Sequence, residues 1–258
     1  MSLDLIESIL AGDRLALSRL ITEVVDAPSA DLLARLNGLR TGTHIIGVTG
    51  PPGAGKSTLV DQLVTHYRSQ GFRPGLVLID PSSPFTGGAI LGDRVRMQAH
   101  SDDPNVFMRS LATRGQLGGL AAGSDAALAV LDVAGFAPLI IETVGVGQAE
   151  LDVVDVADTV VVVLHPGWGD EVQANKAGLI EAGDIFVVNK SDLLEPQRSI
   201  TQIEQALAMG TRTPWVPPVV ATAALSGEGI GPLVEAIERH RIHLGSDPST
   251  ARRRGPRL

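Results

Sequence analysis

The chain has 258 residues, a formal net charge of -8 at neutral pH, 44% apolar residues and no cysteine. This length accommodates one large α/β domain with an extension and argues against two catalytic domains. The acidic balance argues against a general nucleic-acid binder, which needs a basic surface, and the lack of thiols excludes disulfides and thiolate metal sites and fits a reducing cytosol.

The N-terminus reads Met1-Ser2-Leu3-Asp4-Leu5-Ile6-Glu7, acidic where a signal peptide is basic, and no apolar run reaches the length of a membrane span. A cytoplasmic protein with no membrane contact is expected. Residues 3–40 carry apolar side chains at helical spacing: Leu5, Ile6, Ile9 and Leu10, then Leu17, Leu20, Ile21 and Val24, then Leu32, Leu33 and Leu36. They predict a small N-terminal helical extension over residues 1–42, with Ser29 as the N-cap of its third segment.

From Ile45 onward, short apolar runs alternate with helix-length segments. The expected strands are 44–49, 75–79, 105–108, 138–141, 159–164, 184–188 and 216–221, in a domain spanning 43–244. Runs such as Thr159-Val160-Val161-Val162-Val163-Leu164 lack polar alternation, as strands buried on both faces do. The predicted class is α/β, a mostly parallel sheet flanked by helices. Ligands on such sheets bind at the carboxyl ends of the strands, so motifs are sought there.

The first strand runs into Gly50-Pro51-Pro52-Gly53-Ala54-Gly55-Lys56-Ser57-Thr58, followed by a helical pattern. Strand, glycine loop and helix in that order make a P-loop, the phosphate cradle of P-loop NTPases. The backbone amides of Pro52 to Thr58 surround the phosphates where the chain has an N–H to offer, and the helix adds its positive dipole end. Lys56 supplies a charge for the β- and γ-phosphates, and the Ser57 hydroxyl is a magnesium ligand.

The second strand ends at Asp80, followed by Pro81-Ser82-Ser83-Pro84 and then Gly92-Asp93-Arg94. Asp80 is placed to face magnesium held at Ser57, although a strand-end aspartate also serves as a helix cap or turn former. The glycines and prolines that follow suit a loop that a γ-phosphate orders. Residues 109–125 read as a glycine-rich loop whose Arg109 and Arg114 either meet phosphate or a partner or are simply solvated.

The fourth strand ends Ile140-Ile141-Glu142-Thr143-Val144-Gly145-Val146-Gly147-Gln148. An apolar strand closing on a carboxylate is the Walker-B arrangement, with Glu142 on magnesium. The Gly145 N–H is positioned to sense a γ-phosphate, and Gln148 to orient the attacking water. After the sixth strand comes Asn189-Lys190-Ser191-Asp192, a guanine-specificity motif. The Asp192 carboxylate accepts from both N1–H and N2–H of guanine, a pair that adenine does not offer. Lys190 would lie over the P-loop and the base, and Asn189 would tie the two loops together. The last strand leads into Ala223-Ala224-Leu225, whose backbone amides, at Ala224 and Leu225, are placed to read guanine O6. His240 and His243 share a helical face and read as surface residues, and the basic tail over 245–258 reads as solvated.

Taken jointly, the P-loop, Asp80-Pro81-Ser82-Ser83-Pro84, Glu142 to Gln148, Pro166-Gly167 with Gly169-Asp170-Glu171, and Asn189 to Asp192 resemble the MeaB/ArgK family of GTPases. The resemblance covers about Leu5 to His243. It implies a P-loop GTPase that binds GTP/GDP and Mg2+ and gates delivery of adenosylcobalamin to an acyl-CoA mutase, helps eject damaged cobalamin, and works alongside the adenosyltransferase that supplies the cofactor. Asp80, Asp93 and Glu142 match positions that surround magnesium with Ser57. Residues 165–176, including Asp170 and Lys176, match a third switch that communicates with the mutase. Trp168 stands where a small residue is typical, and Ala223 where a serine is frequent. Many members continue into a helical dimerisation arm; with Leu258 as its last residue, the sequence does not carry a homodimer over as an expectation.

The residues alone leave other readings open. A P-loop kinase of a small metabolite would use Asp80 as a substrate base, a nickel-type metallochaperone would pass on a metal, and a binding module would hold nucleotide without turnover. Lys56, Glu142 and Gln148 are the candidate catalytic groups, and none is an obvious general base. A slow intrinsic GTPase completed by a partner is therefore expected.

Overall fold

The computed structural model describes residues 2–80, 98–112, 119–143, 149–167, 173–193, 196–209 and 214–246. Three helices come first: α1 (Ser2–Leu10), α2 (Arg14–Asp26) and α3 (Ala30–Leu39). Asp13 caps α2 by accepting from the Leu15 and Ala16 amides, and Ser29 caps α3 by accepting from Leu32, as predicted. Then follow β1 (Ile45–Thr49), α4 (Lys56–Ser69), β2 (Gly75–Asp80), β3 (Phe107–Ala112), α5 (Gly119–Val133), β4 (Leu139–Thr143), α6 (Ala149–Val156), β5 (Thr159–Leu164), α7 (Gln173–Ala182), β6 (Ile185–Asn189), α8 (Pro196–Met209), β7 (Val219–Thr222) and α9 (Ile230–Ser246).

The seven strands form one sheet in the order β3-β2-β4-β1-β5-β6-β7, with parallel pairing throughout. β1 lies centrally, and the chain winds away from it in both directions. The P-loop therefore leaves β1 at the point where the winding reverses, which is where the ligand crevice of a doubly wound sheet opens.

Strand alternation divides the core between two faces. Ile46, Val48, Leu78, Ile140, Val161 and Val187 point toward α4 and α9. Ile45, Val77, Ile141, Val162 and Val188 point the other way, into a cluster completed by α5, α6 and the N-terminal helices through Leu17, Leu20, Ile21 and Leu36. The N-terminal helices thus bury their apolar stripes in the same core as the sheet. Their connection to β1 is held by Asp132 of α5, which accepts from the amides of Thr41 and Gly42 and from the hydroxyls of Thr41 and Thr43.

The third strand differs from expectation. It runs to Ala112, so Arg109 and Ser110 are strand residues and not loop. β3 is an edge strand paired only with β2, and an edge tolerates polar side chains that a central strand excludes. The Arg109 guanidinium donates to the Thr22 hydroxyl on α2, a bond within the protein, and residues 119–125 belong to α5. Arg114 lies outside the described residues. The seventh strand starts at Val219 because Pro217 and Pro218 cannot donate to a ladder, although the Pro218 carbonyl still accepts from Phe186.

His240 is also not a surface residue. It is 3% exposed; its Nδ1 lies 2.8 Å from the Thr159 hydroxyl, its Nε2 lies 3.5 Å from Asp184 Oδ1, and its ring packs on Trp215. The network sits at the amino ends of β5 and β6, the end of the sheet away from the P-loop.

On α4, burial pushes the Tyr67 phenol up to about 12, and the nearby Glu238 carboxylate adds to the rise. The raised folded value means that this contribution to stability is fully present below the unfolded value of about 10 and is lost as pH rises through the folded one. Chemical denaturation at pH 9 and pH 11 should therefore show a smaller loss of stability on alkalinisation for Tyr67→Phe than for the parent chain. Equal losses in the two proteins would remove Tyr67 from the account.

Candidate functional site

The P-loop leaves β1 as a turn over Pro51 to Ala54 and becomes α4 at Lys56, with Gly55 at the N-cap in a left-handed conformation, φ 90°. A Cβ at Gly55 would lie 2.3 Å from Asn189 Nδ2, so glycine here admits both the backbone angle and the neighbouring amide. The buried Lys56 ammonium donates to the carbonyls of Gly50 at 2.6 Å and Pro51 at 3.0 Å, within its own loop. Phosphate oxygens would compete for the same three N–H donors.

Ser57 follows at the first turn of α4, and its hydroxyl donates to Glu142 Oε1 at 2.7 Å. The two residues expected to share a magnesium ion are thus in direct contact with each other. Asp80 ends β2, Glu142 is the penultimate residue of the neighbouring β4, and both are 1% exposed. Glu142 pairs in register with Leu78, so alternation brings Asp80, two residues on, to the same α4-facing side. Two buried carboxylates and a hydroxyl form a set of hard oxygen donors suited to Mg2+, and a divalent cation relieves the repulsion between two carboxylates on one face. Asp93, Gly145 and Gln148 lie outside the described residues, as do Trp168 and Asp170.

The guanine-type loops converge on the P-loop from the other side. Asn189 ends β6 fully buried, donates through Nδ2 to the Ala54 carbonyl at 2.8 Å, and accepts at Oδ1 from the Thr222 hydroxyl at 3.0 Å and the Ala224 amide at 3.1 Å. One amide thus fastens three loops together. The next residue, Lys190, has φ 62°, an unusual angle for a residue with a Cβ. Its Cε reaches within 4.0 Å of the position of a Cβ on Gly55, which brings the side chain to the P-loop. The Ser191 amide donates to the Thr222 carbonyl, leaving Asp192 exposed at the rim. Leu225 is 86% exposed, and the neighbouring Ala224 N–H is committed to Asn189.

Sequence reasoning missed Thr222, whose hydroxyl and carbonyl bond to Asn189 and Ser191 on either side of Lys190. Only the parallel register, which sets Asn189 opposite Thr222, reveals it. It also missed Ser199 on α8, whose Oγ accepts from the Gly167 amide at 3.1 Å after β5. No sequence spacing links those two positions.

Among the described residues, no helix is long and apolar enough to cross a membrane. The family model described as methylmalonyl Co-A mutase-associated GTPase MeaB matches residues 17–257. A Pyrococcus horikoshii protein that carries a GTPase name is 46% identical over 263 residues, covering 99% of this chain and 82% of the relative. The mouse protein named methylmalonic aciduria type A homolog, mitochondrial, is 38% identical over 217 residues, covering 82% of this chain and 52% of its own length. The crystal structure titled LAO/AO transport system kinase superposes with a TM-score of 0.81 at 25% identity, covering 99% of this chain and 80% of that one.

Proposed function

Because the chain belongs to the MeaB family of methylmalonyl-CoA mutase-associated GTPases, we propose that its GTP cycle gates the loading of adenosylcobalamin into an acyl-CoA mutase and protects the loaded enzyme. The family description and the name of the mouse relative support the mutase as client. The structural observation that carries the guanine part is the three-way tie of Asn189, which fastens the loop bearing Lys190 and Asp192 to the P-loop and to the loop after β7.

In this reading the triphosphate displaces the Gly50 and Pro51 carbonyls from Lys56, whose charge then stabilises the β- and γ-phosphates. Ser57, Asp80 and Glu142 hold Mg2+, which when bound neutralises charge developing on the phosphates. Asp192 reads N1–H and N2–H of guanine, Lys190 covers the base, and O6 falls to the Leu225 amide because Ala224 is committed to Asn189. Hydrolysis is in-line attack of water on the γ-phosphate, slow until the mutase completes the site, with Gln148 proposed to orient the water and the Gly145 N–H to sense the γ-phosphate.

The test is single-turnover GTP hydrolysis with candidate B12-dependent mutases added one at a time. The client should raise the rate at least about tenfold, the kind of gain a partner supplies by completing a phosphoryl-transfer site, and cobalamin transfer to it should differ between GTP and GDP. If each mutase left both hydrolysis and transfer unchanged, the client reading would be wrong. The kinase name of the superposable crystal structure favours a second reading, a kinase. Release of free phosphate in step with GDP, without a phosphorylated acceptor, would dispose of it.

A further inference from the structure

β1 and β4 run parallel, and the last backbone pair between them is Val48 with Glu142. One residue further on, side chains continue the contact. Thr143 Oγ1 donates to Thr49 Oγ1 at 3.0 Å, with both residues at most 1% exposed. Alternation sends Glu142 toward α4 and sends Thr49 and Thr143 to the opposite face, which they share with Ile45, Leu139 and Ile141.

The places these two residues occupy give the bond its meaning. Thr49 directly precedes Gly50, whose carbonyl holds the Lys56 ammonium. Thr143 directly follows Glu142, which holds the Ser57 hydroxyl. The hydroxyl pair therefore joins the two backbone points from which the groups facing the phosphates and the metal extend. On its other side, β4 is paired with β2 up to Ile79 and Thr143, so backbone pairing secures that flank and the hydroxyls secure the β1 flank.

Core packing alone does not call for threonine here. Valine has nearly the same shape, and each buried hydroxyl costs desolvation that only a hydrogen bond offsets. Two facing threonines at the C-terminal edge of an otherwise apolar face of the strand pair thus mark a requirement for a fixed spacing, and the functional groups beside them supply the reason.

We propose that Thr49 and Thr143 are positioning residues for GTP hydrolysis, their buried hydroxyl pair holding Glu142 in register with the P-loop. The proposal deepens the GTPase reading and rests on it. A small displacement of a positioned group slows phosphoryl transfer far more than it weakens nucleotide binding, because binding is spread over many contacts.

The experiment measures GTP hydrolysis, GTP affinity and the Mg2+ dependence of GTP binding on the full chain for Thr143→Val, Thr143→Ser, Thr49→Val and the double valine variant, with thermal unfolding as a check on folding. Thr143→Val should slow turnover about tenfold while GTP affinity stays within about threefold. Thr143→Ser should restore the rate to within about twofold, and the double variant should be no slower than the slower single one, as for two halves of one interaction. Unchanged turnover in Thr143→Val, failure of serine to rescue, or losses that add in the double variant would overturn the proposal. If Thr143→Val does not fold, Thr49→Val and its serine counterpart carry the same comparison. A parent chain that binds GTP but releases no phosphate would overturn the hydrolysis reading instead. The pair is then read in the Mg2+ needed for half-maximal GTP binding, which should rise in Thr143→Val and return in Thr143→Ser; no rise overturns the pair's role.

Discussion

Asp192→Asn should weaken GTP binding by about a hundredfold or more while leaving the fold intact, because a buried or clamped donor that loses its acceptor costs a few kcal/mol. Asp192 is exposed at the rim of the loop fastened by Asn189, so the substitution disturbs no packing. Its carboxylate offers two acceptor oxygens to N1–H and N2–H of guanine, whereas asparagine offers one acceptor and a donor that meets the N2 amine head-on. Xanthine carries a carbonyl at position 2 and an N1–H, which suits the asparagine amide. Xanthosine triphosphate should therefore bind Asp192→Asn better than GTP does. Competition titrations of GTP, ATP and xanthosine triphosphate against a labelled GDP read this directly, and retention of the parent preference for GTP would remove Asp192 from base selection.

Gly50→Ala should be among the most damaging single substitutions in the chain. Gly50 has φ 137°, which a residue with a Cβ rarely adopts, and an added Cβ would sit 2.1 Å from the Val163 carbonyl oxygen. Val163 is the penultimate residue of β5, buried and paired with Val187 of β6, so its backbone has little room to yield. Either the P-loop moves off β5 or the strand order is strained, at a cost of about 3 kcal/mol or more. The loop is the softer of the two, so the loss should fall chiefly on nucleotide: GDP affinity down by at least about tenfold, since the Gly50 carbonyl also positions Lys56. Thermal unfolding with and without GDP separates the two effects. A parent-like melting temperature together with parent-like GDP stabilisation would show that the close approach has no consequence.

Much of this architecture can be read from local pattern. The valine-rich run of β5 and the apolar runs of β1, β4 and β6 have no polar alternation, and each proves buried on both faces. Ser29 caps α3 because the signal for a cap lies within three residues of it. Where expectation failed, the cause was non-local. Arg109 and Ser110 read as loop because nothing in their neighbourhood says that β3 is an edge strand or that Thr22 lies within reach. His240 read as exposed because helical spacing identifies a face without saying what covers it, and that face meets Thr159, Asp184 and Trp215.

The same division runs through the site. By itself the sequence determined which groups are present: a glycine loop with Lys56 and Ser57, carboxylates at the ends of two strands, and a motif with Asn189, Lys190 and Asp192 chemically matched to guanine. Those are properties of short segments, in which backbone freedom, charge and donor pattern follow from residue type and order. Only the tertiary structure decided that Glu142 holds the Ser57 hydroxyl, that Asn189 fastens its own loop to the P-loop at Ala54 and to the end of β7 at Thr222 and Ala224 with one amide, and that Thr49 meets Thr143 beside them. These contacts join residues 33 to 135 positions apart. They depend on which strands pair and in what register, and a hydrogen bond a few tenths of an ångström wide in tolerance is set by that pairing and not by the residues at its two ends.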